Sequence, residues 1–183
     1  MFLIAVVLLS ALTVPLFGGR LGALLEVRLR HAWAIFVALS MEVAAIELPG
    51  LPDGLRAGLL LAAYPVLGVF LAANWRLPGI PLVALGGALN LVAIGVNGGV
   101  MPASPTALAA AGLPVDPPGF QNSAALPHPR LAFLGDVFSI PASWPLSNVF
   151  SVGDVLIAVG VAWALHRLCR SRPTLPRSGP GSG

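Results

Sequence analysis

The chain has 183 residues, of which 57% are hydrophobic and only 9% charged, with a formal net charge of +3. A soluble domain carries about 25% charged residues; seven acids and ten bases cannot supply a water-facing surface here, so the apolar residues are expected to face lipid. Every base is an arginine, which excludes Schiff-base, P-loop and serine–lysine chemistry, and the arginines flank apolar runs, which points to lipid headgroups rather than nucleic acid.

A helix needs about 20 mostly apolar residues to cross the hydrocarbon layer. The first such run is 2–17, with Pro15 near its end. It has no basic segment before it and positive charge after it, so it reads as a retained span rather than a cleaved signal peptide. The stretch 21–30, LGALLEVRLR, mixes leucine with charge and is predicted to lie along the inner interface. The second run, 32–48, contains Glu42 and Glu47; the third, 55–74, is free of charge after Arg56; the fourth, 80–96, contains Asn90. Residues 97–148 are rich in proline and poor in charge, and their later part, LAFLGDVFSIP, is apolar. This segment is expected to fold over the mouth of the bundle or dip into the interface, with Phe133, Phe138 and Trp144 at headgroup depth. The fifth run is 149–168, with Asp154 one turn in, and residues 172–183 form a tail of proline, glycine and serine expected to be disordered.

The predicted fold is therefore all-α: a polytopic transmembrane bundle of five spans in residues 1–171, an outer loop at 97–148, and a cytoplasmic tail. Arg20, Arg28, Arg30, Arg76, Arg167, Arg170, Arg172 and Arg177 fall on one side of such a bundle, and only Arg56 and Arg130 on the other. The positive-inside rule then places the N-terminus out and the C-terminus in. Small residues recur four apart in Gly58 with Ala62, Gly68 with Ala72 and Gly86 with Asn90, as helix packing in lipid favours. Ordinary bundle packing accounts for them; a homodimer face is the alternative.

Few residues are equipped for chemistry. Glu42 is the deepest acid, either a relay for protons or cations or a neutral hydrogen-bonding group, with Asn90 as a possible partner; an ionised acid there costs about 2.5–3.5 kcal/mol. Asn97 begins Asn97-Gly98-Gly99 and reads as a helix C-cap and turn, or as the rim of a site. Two Gly-Asp pairs echo each other in FLGDVFSI (133–140) and FSVGDVLI (150–157). Ser151 and Asp154 have the spacing of a capping box. Asp136 has no such role and needs a partner, for which Arg130, His128 and the outer end of the second span are options. Neither a metal site nor a cofactor is expected: His128 with Asp116, Asp136 and Asp154 matches no ligand spacing, and no Gly-x-Ser-x-Gly motif supports a serine nucleophile. His31 and His166 read as inner-interface residues. Cys169 is the only cysteine, so no internal disulfide is possible.

Several motifs together carry a resemblance. Gly18-Gly19-Arg20-Leu21, Asn97-Gly98-Gly99 with Met101-Pro102, Leu134-Gly135-Asp136-Val137 before Ile140-Pro141, and Ser151-Val152-Gly153-Asp154 resemble a bacterial membrane family catalogued as domain of unknown function 5317. The resemblance implies a bacterial cytoplasmic membrane and makes the Asn-Gly-Gly and Gly-Asp elements part of the family pattern, while implying no substrate.

These features favour a non-enzymatic binding or accessory component, with Asn97, Asp136 and Asp154 as a polar cluster at the outer face and Glu42 and Asn90 below. Its partners would be the lipid bilayer and a second copy or larger membrane complex. The alternatives are a small ion- or proton-coupled transporter using Glu42, and a membrane enzyme using Asp136 and Asp154 on a lipid-linked substrate.

Overall fold

The computed structural model describes residues 2–115 and 123–170, with the backbone alone for residues 2–4. The expected tail at 172–183 and Asp116 lie outside these residues. The chain is mostly helical. Its long helices are α1 (Phe2–Leu16), α2 (Trp33–Glu47), α3 (Asp53–Ala73), α4 (Ile80–Val96) and, after a short α5 (Pro105–Ala110), α6 (Val152–Leu168). Each of the five apolar runs is thus helical over most of its length, the fifth only from Val152 because 149–151 are strand, but α3 is the one described helix both long and apolar enough to cross a membrane, at 21 residues.

The all-α expectation needs correction. Between α4 and α6 lie four short strands: β1 (Met101–Pro102) pairs in parallel with β2 (Ser123–Ala124), and β3 (Asp136–Ile140) pairs antiparallel with β4 (Asn148–Ser151). A bridge from Ala103 to Asp136 joins the two pairs. The reason is local. Prolines at 102, 105, 141 and 145 bar a continuous helix through this segment, while Val137, Phe138, Val149 and Phe150 suit a pleated surface. The rings of Phe138 and Phe150 stack at 5.4 Å.

The helices alternate in direction. Thr13 on α1 meets His166 on α6 at 3.2 Å, so these two run parallel. Asn90 near the C-terminal end of α4 meets Asp154 in the first turn of α6, and Gly79 at the start of α4 meets Gly160 and Ala164, so α4 and α6 run antiparallel. The described residues 99–115 and 123–151 form a cap on one end of the bundle. The cap has a small core of its own in Ala103, Ala107, Leu108, Ala111 and Val149. It is joined to the helices through Ala93, Ile94 and Met101, against which Leu61, Tyr64 and Leu134 pack. At the far end Ala34, Phe70 and Ile80 form a separate cluster.

The α4–α6 seam is close because it is lined with glycine. A Cβ on Gly153 would overlap the Asn90 side chain and sit 2.7 Å from the Gly86 carbonyl oxygen; one on Gly160 would sit 2.7 Å from the Gly79 carbonyl oxygen. Gly86 therefore belongs to a packing seam, whereas Gly58 and Gly68 meet nothing within 4 Å in this chain.

Alanine is the commonest buried residue, beside a few large ones such as Leu60, Phe70 and Ile94, while many large apolar side chains lie on the flank. Ala34, Ala45 and Ala93 are fully buried, and the largest fully buried side chains among the described residues are only Val14, Cys169 and Ser151. Leu12 (71%), Leu16 (74%) and Phe36 (70%) are exposed.

Candidate functional site

The polar side chains gather where the cap meets the helices, in three separate groups rather than one cluster. The first lies in the α4–α6 seam. Ser151 caps α6: its Oγ accepts from the Asp154 backbone N–H at 3.0 Å, and its own N–H donates to Asp154 Oδ2 at 3.0 Å. This reciprocal box satisfies two amides that a helix start otherwise leaves unbonded. Buried Asn90 completes it, donating from Nδ2 to Asp154 Oδ1 at 2.9 Å and accepting the Ser151 hydroxyl on Oδ1 at 2.9 Å. Asn90 is therefore partnered by Asp154 and Ser151. Glu42 forms no described hydrogen bond with it and lies exposed on α2, within electrostatic reach of Asp154.

The second group is built on Asn97. As the C-cap residue of α4 it donates from Nδ2 to the Ala93 carbonyl at 2.7 Å. The same amide grips the backbone of Arg130 from both sides, donating to its carbonyl at 2.8 Å and accepting from its N–H at 2.8 Å. Asn97 is thus a clamp holding the cap to α4.

An identical device sits at the other end of the bundle, on a residue that its sequence context did not single out. Asn74, the C-cap residue of α3, donates to the Phe70 carbonyl and grips the N–H and carbonyl of Arg30, all at 2.8–3.0 Å. Both caps share nearly the same backbone, with φ −115° and ψ 16° at Asn74 and φ −109° and ψ 22° at Asn97. The available signal was an asparagine closing each of two apolar runs.

The third group is Asp136, buried in the cap. Its carboxylate accepts the Ser123 hydroxyl from β2, and its backbone carbonyl accepts the Ser104 N–H at 3.0 Å. The partner is therefore Ser123; Arg130, His128 and the second helix do not fill that role among the described residues. Burial pushes the Asp136 carboxyl up to about 6, with the Ser123 hydrogen bond opposing and the Asp154 charge adding. The contrast between the two Gly-Asp pairs is now explained: a serine three residues before Asp154 starts a helix, whereas Phe133 precedes Asp136 at that spacing and a strand forms.

Beside Asp136 the cap carries a cleft of about 300 Å³ lined largely by apolar side chains, with Pro102, Ala103 and Ser104 on one side and Phe133 and Val137 on the other. No three His, Cys, Asp or Glu side chains among the described residues come together as a metal site.

A family of unknown function, DUF5317, matches residues 26–166. The chain belongs to this family. The DUF5317 match takes in α2 to α5, the cap and nearly all of α6, and with them all three polar groups. A protein of Thermotoga maritima described as an uncharacterized protein is similar, at 32% identity over 99 residues, or 54% of this chain. The aligned part spans 57% of that relative's length. No solved structure matches the chain.

Proposed function

We propose that this DUF5317 protein is a five-span membrane protein, with the cap on the outer face of a bacterial cytoplasmic membrane, acting as a non-enzymatic binding or accessory component. The observation carrying this reading is the distribution of side-chain size. Water drives large apolar groups inward and leaves only limited apolar patches outside. Here many leucines and Phe36 lie exposed on the flank, while glycine lines the close α4–α6 seam and alanine is the commonest buried residue, as suits helices packing in lipid. The helices of 15–17 residues are about 22–26 Å long, short of a hydrocarbon core of about 30 Å. Local thinning and snorkelling arginines accommodate such a mismatch. Arg20, Arg28, Arg30, Arg76, Arg167 and Arg170 lie at the end away from the cap, which favours that end as cytoplasmic.

The binding role draws on how the polar groups are used. Asn90, Asn97 and Asp154 are engaged in bonds that hold the fold, which gives the enzyme reading little support. The cap cleft is a concave surface of ligand-binding size. A photo-crosslinking residue in place of Phe133 in this cleft should capture a discrete ligand or partner in native membranes, and one in place of exposed Leu25 should not. Release of the chain from membranes by alkaline carbonate would contradict the reading. Transport keeps one observation in its favour, the exposed Glu42 within reach of Asp154; unchanged ion and proton flux for Glu42→Gln in proteoliposomes would remove it.

A further inference from the structure

We propose that Asp136 is a proton-operated latch: protonated, it holds the two strand pairs of the cap together, and ionised, it loosens their junction and opens the adjoining cleft. Asp136 stands at the joint between the pairs. It opens β3, is bridged to Ala103 next to β1, receives the Ser104 N–H on its carbonyl and the Ser123 hydroxyl on its side chain. Its pairing with Ser151 on β4 is followed by an irregularity before Phe138, so the ladder is weakest beside it. The lining of the cleft draws on both strands at this joint, with Ala103 and Ser104 following β1 and Val137 on β3.

The surroundings of the carboxyl favour its neutral form. Only 6% of the residue remains exposed. Among the described residues, the titratable groups within electrostatic reach of it are Asp154 from α6 and the Tyr64 phenol from α3. Strands β1, β2 and β4, helix α5 and the turn 132–134 carry no titratable side chain. His128 and Arg130 on the flanking loop are exposed. A neutral carboxyl can give or take a hydrogen bond with Ser123, whereas a buried anion has one hydroxyl donor among the described residues and no cation beside it.

The sign follows from the raised value. Stability from this joint is present in full below the ordinary carboxyl value of 3.8 and is lost as pH rises through about 6. This inference holds whichever side of a membrane the cap faces, so topology measurements do not bear on it.

The test is hydrogen exchange by mass spectrometry on the full chain in lipid nanodiscs, corrected for intrinsic rates, from about pH 4.5 to about pH 8. Protection of amides in 101–104 and 136–140 should fall by on the order of tenfold to a hundredfold as pH rises to about 6 and level off above it, with the midpoint of the fall below that value, because each pH unit between 3.8 and about 6 is worth about tenfold. Asp136→Asn should flatten the profile. Ser123→Ala removes the bond that holds the carboxyl down and should move the midpoint up. A flat wild-type profile, a wild-type profile in Asp136→Asn, or an unmoved midpoint in Ser123→Ala would overturn the proposal. Should Asp136→Asn fail to fold, the Ser123→Ala midpoint decides.

Discussion

Asn90 has a side chain that offers one donor group and one acceptor, and the seam uses both. Asn90→Ala leaves the Ser151 hydroxyl and one Asp154 oxygen without their partner in a buried place, at a cost of about 1–3 kcal/mol. The corresponding fall in melting temperature should be non-additive with that of Ser151→Ala, because the two substitutions break one shared network. A sum of two independent losses would show that the seam does not act as a unit. The Ser151–Asp154 box was legible in the sequence, because a capping box is a local signal between residues three positions apart. Asn90 joins it from 64 residues away, and one sequence contains no trace of such a pairing. Asp136 was legible as an acid in need of a partner, but not its partner, because Ser123 is brought to it by strand pairing that no periodicity announces.

One helix end and two glycines show what the elements require. Arg56 wraps the C-terminal end of α2, its guanidinium donating to the carbonyls of Ala45 at 2.5 Å, Leu48 at 2.7 Å, Leu51 at 3.1 Å and Ile46 at 3.3 Å. The Ala45, Ile46 and Leu48 carbonyls are acceptors that a helix end leaves unbonded, while Leu51 lies in the following loop, and the cation also suits the negative end of the dipole. This explains an arginine at the cap end of the molecule. Arg56→Lys retains the charge but loses the planar fork, so it should lower thermal stability nearly as much as Arg56→Ala; full retention of stability by the lysine variant would reduce Arg56 to its charge. The glycines divide in the same physical way. Gly153→Ala drives a Cβ into Asn90 and should cost at least the 1–3 kcal/mol typical of overpacking. Gly58→Ala meets nothing within 4 Å and should be neutral or stabilising by up to about 1 kcal/mol through helix propensity. Paired melting curves check the contrast, and equal losses would contradict the seam. The helices were legible because long apolar runs are strong signals. The strands were not, because they are two to five residues long and broken by proline.

At the scale of the molecule, the same chain carries two kinds of surface. The flank of α1 and α2 is apolar and built of large side chains, while the cap has its own small core and holds the buried acid. Composition makes the apolar character plain, and the arginine positions alone imply an orientation. The helix lengths add what composition does not show: α3 alone among the described helices reaches 21 residues, and under the proposed five-span arrangement the others would need a thin or deformed bilayer around them. Reconstitution into lipids of increasing acyl length should therefore lower the chain's melting temperature, whereas indifference to bilayer thickness would speak against short spans. The central claim is that lipid surrounds this flank, with the cap and the tail on opposite sides. The direct measurement is labelling by a membrane-impermeant thiol reagent, in whole cells, of His128→Cys and Ser178→Cys, each in a Cys169→Ser background. The account predicts that His128→Cys in the cap labels from outside, while Ser178→Cys labels only after the membrane is opened. Labelling of both from the same side, or recovery of the chain in the soluble fraction, would contradict it.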